Sequence, residues 1–221
     1  MPQLNPEYVE RMEDVLELYE KPLSQQEPVV CVDEKSVSLH QEVREPMGMQ
    51  PGQVARRDSE YKRCGTANIF CGIEAKAGVH FTEVTPTRAA REFAGFLKAV
   101  ADFYPQAKAI HLVMDNLNTH RRKALVDRYG EQEGDALWKR FHLHYTPKHG
   151  SWLNQAEIEI GLLSRQCLGK RRIADLTTLS QEAKAWNQQA NRQGIRIDWK
   201  FDRIKARDKF RYSPLIMRSE N

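Results

Sequence analysis

The chain has 221 residues, 40% of them hydrophobic and 29% charged, with a formal net charge of +4. That suits one domain of ordinary globular composition with a sizeable core, and no run of about 18 apolar residues is present to span a membrane. The charge is uneven: residues 161–221 hold 14 Lys and Arg against 6 Asp and Glu, and residues 1–160 hold 20 against 24, so the C-terminal quarter is either a candidate polyanion surface or a solvated basic face.

Residues 5–20 are predicted to form a helix, with Asn5 as cap, Pro6 in the first turn, and Val9, Met12, Leu16 and Tyr19 at helical spacing. This acidic start lacks the basic segment and apolar block of a secretory signal, which points to a cytoplasmic, nucleoid-associated protein. A polar linker follows. Residues 29–33 (VVCVD) read as a buried strand ending in an acid, and 43–66 as an irregular loop. Residues 67–73 and 79–84 read as paired strands joined by a turn at Gly78. Thr85 and Pro86 announce a helix over 86–104, then 109–114 (AIHLVM) forms a second buried strand, again ending in an acid. Helices are expected at 120–129, 133–140, 152–168 and 176–191, with a short strand at 142–145. The tail from 195 has no clear period. This order predicts an α/β fold with a mixed sheet, whose sites gather at the carboxyl ends of the strands. Cys31, Cys64, Cys71 and Cys167 form no C-x-x-C pair and read as free thiols.

Asp33, Asp115 and Glu157 each stand at the edge of an apolar element. Three carboxylates meeting there would repel one another unless cations lay between them. Mg²⁺ suits such oxygen ligands, and two ions about 3.5–4 Å apart can activate an attacking oxygen and stabilise a leaving one. Each acid also has a structural reading: a turn at Asp33–Glu34, an Asx turn at Asp115–Asn116, and a capping box with Asn154 as the cap of Glu157.

The stretches HLVMDNLNTH and YTPKHGSWLNQAEIEIGLLSRQCL, with VVCVDEKS upstream, resemble the catalytic core of bacterial insertion-sequence DDE transposases of the mariner-like superfamily, over about residues 5–212. The resemblance implies an RNase H-like mixed five-stranded sheet over 28–192, preceded by a helix and linker (1–27) and followed by a basic tail (193–221). It implies DNA strand cleavage and transfer with two Mg²⁺ ions, Mn²⁺ substituting, on transposon ends and target DNA, by a homodimer. The triad carries over as Asp33, Asp115 and Glu157, with Glu159 the rival third acid. Forty-one residues separate Asp115 from Glu157, and the helical insert around 120–140 would absorb the extra length. Helix-turn-helix domains of the family would precede residue 1, so the chain is expected to be the catalytic part. A DNA-binding relic or an RNase H-like nuclease are the alternatives.

Around the trio, Asn116, His120 and Asn154 are supporting candidates. Lys148, His149 and Trp152, in the loop before the third acid, suit a DNA backbone and an unpaired base, although Trp152 equally suits a core anchor. Arg165, Lys170, Arg171 and Arg172 form a basic cluster that would hold DNA or simply complete a helix end. His142 and His144 share a strand face, where a metal pair is conceivable but lacks a third ligand. No phosphate-binding or dinucleotide fingerprint is present, which disfavours nucleotide cofactors.

Overall fold

The computed structural model describes residues 5–116 and 121–212. A helix α1 (Pro6–Glu20) precedes the sheet, its first N–H groups met by the Asn5 side chain, which accepts from the Tyr8 amide at 2.7 Å. The sheet is built from β1 (Val29–Glu42), β2 (Tyr61–Glu74), β3 (Val79–Thr85), β4 (Ile110–Met114) and β5 (Phe141–Tyr145), in spatial order β3-β2-β1-β4-β5. The first three strands pair antiparallel, while β1 with β4 and β4 with β5 are parallel. The helices are α2 (Ala90–Phe103), α3 (Arg122–Tyr129), α4 (Glu131–Trp138), α5 (Ala156–Leu163), α6 (Leu176–Gln193) and α7 (Arg203–Phe210).

Strand alternation sorts the core into two faces. Val30, Val32, Phe70, Ile110, Leu112 and Met114 point to one side and pack on Phe93, Phe96 and Leu97 of α2, with Leu125 and Leu137 of α3 and α4 beyond. Cys31, Ile73 and Val113 point to the other side, against Met12, Leu16 and Tyr19 of α1. Further along that face Leu39, Ile69 and Cys71 meet Leu163 and Leu179 of the helices after β5. All four cysteines are free, and all but Cys64 are buried. Among the described residues no helix is long and apolar enough to cross a membrane.

Several elements depart from the sequence reading. β1 runs on to Glu42 and β2 begins at Tyr61, so both strands continue as a hairpin into the expected loop. Their outer ends are largely exposed, which is why no apolar run marks them. The pairing carries a bulge between Leu39 and His40, where Gly65 takes φ 107°. α2 starts at Ala90 with no side-chain cap, and the Thr85 hydroxyl donates to the Thr87 carbonyl at 2.7 Å. The expected helix over 152–168 is three pieces: a 3₁₀ turn Ser151–Leu153, then α5, then a π turn Ser164–Leu168. The segment after α6 folds back on α1. Trp199 packs edge-on to Tyr19, Arg203 pairs with Glu17 and Glu20 at 2.8 Å, and Arg207 pairs with Glu13.

Candidate active site at the carboxyl end of the central strands

β1 and β4 pair in register from Val29↔His111 to Cys31↔Val113. Two more steps along each chain lead to Asp33 and Asp115. The even step puts both carboxylates on the face of Cys31 and Val113, the α1 and α5 side, and neighbouring strands lie only about 4.7–4.9 Å apart. Parallel pairing therefore sets two acids from distant parts of the chain side by side, just past the end of β4.

The two candidates for a third acid, Glu157 and Glu159, both stand on α5. Asn154, buried between the 3₁₀ turn and α5, donates from Nδ2 to the Val32 carbonyl at 2.9 Å and to Asp33 Oδ2 at 3.4 Å. Its Oδ1 accepts from the Ala156 amide at 3.1 Å. One side chain thus ties the end of β1 to the first turn of α5, where Glu157 stands exposed. The expected capping box differs in detail: the side-chain bond goes to the amide of Ala156, and that of Glu157 bonds the Asn154 backbone carbonyl at 3.1 Å. Glu159, the rival acid, is fully buried and pairs with His80 at 2.8 Å.

Burial pushes the Asp33 carboxyl up to about 7, and the neighbouring Glu157, Glu34 and Asp115 carboxylates add to the effect, against the Glu34 amide that donates to it at 2.8 Å. The acids are therefore close enough to feel one another. Among the described residues no three acidic, His or Cys side chains form a ready-made cage. An all-oxygen set whose members raise one another's proton affinity fits a hard divalent cation.

A cleft of about 710 Å³ opens over this end of the sheet, lined by Asp115 and Asn116, by Thr146, Pro147, Lys148, His149 and Ser151, and by the start of α1. Lys148 and His149 are exposed, and His149 takes φ 64°. His120 lies outside the described residues. Trp152 is 38% exposed, with its ring against Phe201 and Phe210 and its N–H donating to Tyr8 Oη at 3.2 Å.

The basic cluster divides. Arg165 and Lys170 are exposed. Arg171 pairs with Glu182 at 2.7 Å. Arg172 pairs with Glu42 at 2.6 Å, donates to the carbonyls of Asp58, Ser59 and Glu60, and lies 5.1 Å over the Tyr61 ring. These two guanidinium groups are engaged by the protein itself. His142 stands exposed, while His144 hydrogen-bonds His111 at 2.9 Å and Asp14 at 2.8 Å, so its nitrogens face protein partners and not a shared ion.

Sequence reasoning missed Tyr8 and Arg11 of α1 as walls of the cleft, since both belong to a helix whose pattern speaks only of packing. It also missed Glu34, whose charge acts on Asp33 and which an adjacent-residue argument assigned to a turn.

The sequence profile of one family, described as DDE superfamily endonuclease, matches residues 28–180. No curated protein matches the sequence significantly. Among solved structures, the Mos1 mariner paired end complex with Mn superposes with a TM-score of 0.55 at 16% identity, over 87% of this chain and 60% of that one. The Mos1 strand transfer complex gives a TM-score of 0.56 at 16% identity, over 87% and 58%. The Mos1 paired end complex with Mg gives 0.52 at 14% identity, over 88% and 59%. The mixed five-stranded sheet with its flanking helices is thus the RNase H-like catalytic fold, and the chain spans about 60% of the length of the Mos1 chains it matches.

Proposed function

Because this chain belongs to the DDE superfamily of endonucleases, we propose that it is the catalytic domain of a DNA transposase, cleaving a DNA strand and joining the freed 3′ end to target DNA. The observation that carries the reading is that Asp115 and Glu157 are both near enough to raise the proton affinity of Asp33, where the parallel register of β1 and β4 ends two residues before each aspartate. The paired-end and strand-transfer complexes of Mos1 support transposition as the use of this chemistry, and a homodimer on paired transposon ends would be its working form.

Asp33, Asp115 and Glu157 would hold two Mg²⁺ ions, with Mn²⁺ as substitute, and bound ions supply Lewis acidity to the attacking and leaving oxygens. What favours Glu157 over Glu159 is exposure beside Asp33, against full burial on His80. Asn154 fixes Asp33 relative to α5, and Asn116 borders the cleft beside Asp115. Lys148 and His149 on the cleft wall would take the DNA backbone, with Arg165 and Lys170 extending the track. The catalytic unit would be 28–192, which contains the matched residues 28–180, with the helix and linker 1–27 before it and the basic tail 193–221 after it. No step needs a nucleotide: water cleaves one phosphodiester to leave a 3′-hydroxyl and a 5′-phosphate, and attack of that hydroxyl on target DNA exchanges one phosphodiester for another.

Asp115→Ala is expected to abolish Mg²⁺-dependent nicking and strand transfer of transposon-end DNA while the circular dichroism and Tm stay close to those of the parent. Activity at the parent rate in this variant would overturn the assignment.

A further inference from the structure

We propose that His80 and Glu159 form a positioning pair that sets the bearing of Glu157 toward Asp33. The proposal rests on the reading of Glu157 as a metal-holding acid. α5 has only eight residues and is flanked by a 3₁₀ turn and a π turn, so no long regular backbone fixes its rotation. Its inward face offers Ala156, Ile160 and Leu163, apolar groups that make no directional bond. Between them stands Glu159, with a side chain that is fully buried and bound to His80 Nδ1 at 2.8 Å. A hydrogen bond has direction where an alanine contact has little. Two residues on a helix are about 200° apart, so the azimuth of Glu159 dictates that of Glu157.

The other end of the pair is equally constrained. His80 Nε2 donates to the Ile195 carbonyl at 2.9 Å. Asn191 of α6 clasps the His80 backbone from both sides, accepting from its amide and donating to its carbonyl at 2.9 Å each. The Trp186 ring meets the imidazole edge-on at 6.1 Å. The chain after α6 can reach this spot because Gly78, at φ 69°, lets Gly194 and Ile195 come so near that a Cβ would sit 2.9 Å from their backbone. A continuous set of contacts therefore runs from α6 through the edge strand β3 to the first turn of α5. Glu159 and Asp33 also both act on the thiol of Cys71, the register partner of Asp33, which places the pair beside the same stretch of sheet.

Stability alone does not account for the arrangement. A buried hydrogen-bonded pair adds little over apolar residues of equal volume, and Glu159 Oε2 is buried with no hydrogen bond among the described residues. What such a pair supplies that leucine would not is orientation.

The test uses the full chain and Mn²⁺ as probe, with affinity read from the free-ion electron paramagnetic resonance signal and from the Mn²⁺-induced rise in Tm. Glu159→Ala is expected to weaken Mn²⁺ binding on the order of tenfold, the usual effect of losing an outer-shell partner. Glu159→Gln, which keeps a hydrogen bond to Nδ1, is expected to stay near the parent affinity, and that rescue distinguishes bearing from charge. Parent-like Mn²⁺ affinity in folded Glu159→Ala overturns the proposal. Should Glu159→Ala fail to fold, Asn191→Ala decides: weakened binding supports the pair and unchanged binding overturns it. Asp33→Asn is the control. If the parent binds no Mn²⁺, or binds it no better than Asp33→Asn, the metal reading itself falls and the pair's role falls with it.

Discussion

Asp33, with its carboxyl pushed up to about 7, couples the stability of the fold to pH. Its carboxyl is raised from the ordinary 3.8, first by burial and then by the acids around it. A raised acid contributes stability in full below its unfolded value and loses it as pH climbs through the folded one. Without divalent cations the Tm should therefore fall between about pH 4 and pH 7, and Mg²⁺ should restore most of the loss at pH 8. Asp33→Asn should flatten the slope, and a scan of Tm against pH with and without chelator checks both. Asn154 is the other residue on which the site turns, since it is buried and bonded to β1 and α5 at once. Asn154→Ala leaves the Val32 carbonyl without that donor and should cost about 1–3 kcal/mol by urea denaturation, with nicking lost more steeply than stability.

At the level of elements, the hairpin beyond the sheet is strapped down from the far side of the chain. Arg172 holds Glu42 and three loop carbonyls, and Arg57 holds both Glu42 and the Lys170 carbonyl. Arg172→Ala should destabilise the protein by about 2 kcal/mol, as loss of charge-assisted bonds to half-buried groups does, and should make the loop at 43–60 the first site of limited proteolysis. Cleavage elsewhere first would count against the strap. This use of Arg172 could not be read from the sequence, where a run of three basic residues says only that charge is present. The buried strands were legible because both faces of the sheet are covered and leave continuous apolar runs at 29–32 and 110–114. The outer halves of β1 and β2 were not, because they are held by backbone pairing and polar contacts that leave no hydrophobic period. The acids Asp33 and Asp115 stood out at the ends of those runs, and Glu157 through its motif. Asn154 was noticed as a cap, but its reach to β1 depends on a contact 122 residues away in the chain.

Over the whole molecule, the charge split by sequence is not a split in space. Part of the basic C-terminal quarter neutralises the acidic first helix, through Arg203 on Glu17 and Glu20 and Arg207 on Glu13. Burial alone would raise Glu13, yet the hydrogen bonds from Arg207 and Tyr212 hold it below the usual carboxylate range. α1 is a full member of the core, since Met12, Val15 and Leu16 are completely buried. Met12→Ala should therefore cost about 2–5 kcal/mol, with α1 and the sheet unfolding in one transition. A separate early transition for α1, followed by Trp199 fluorescence, would show that the helix is only an appendage.

The shared register of β1 and β4 makes the site sensitive to parity and indifferent to length. One residue inserted or deleted between Val29 and Asp33 would swing the carboxylate through to the α2 side of the sheet, whereas two would return it to its own side one step displaced. Insertions of any size at the hairpin tip leave that count untouched. In a library of random insertions and deletions, survivors near Asp33 and Asp115 should be even-numbered, while those between residues 43 and 60 should show no preference.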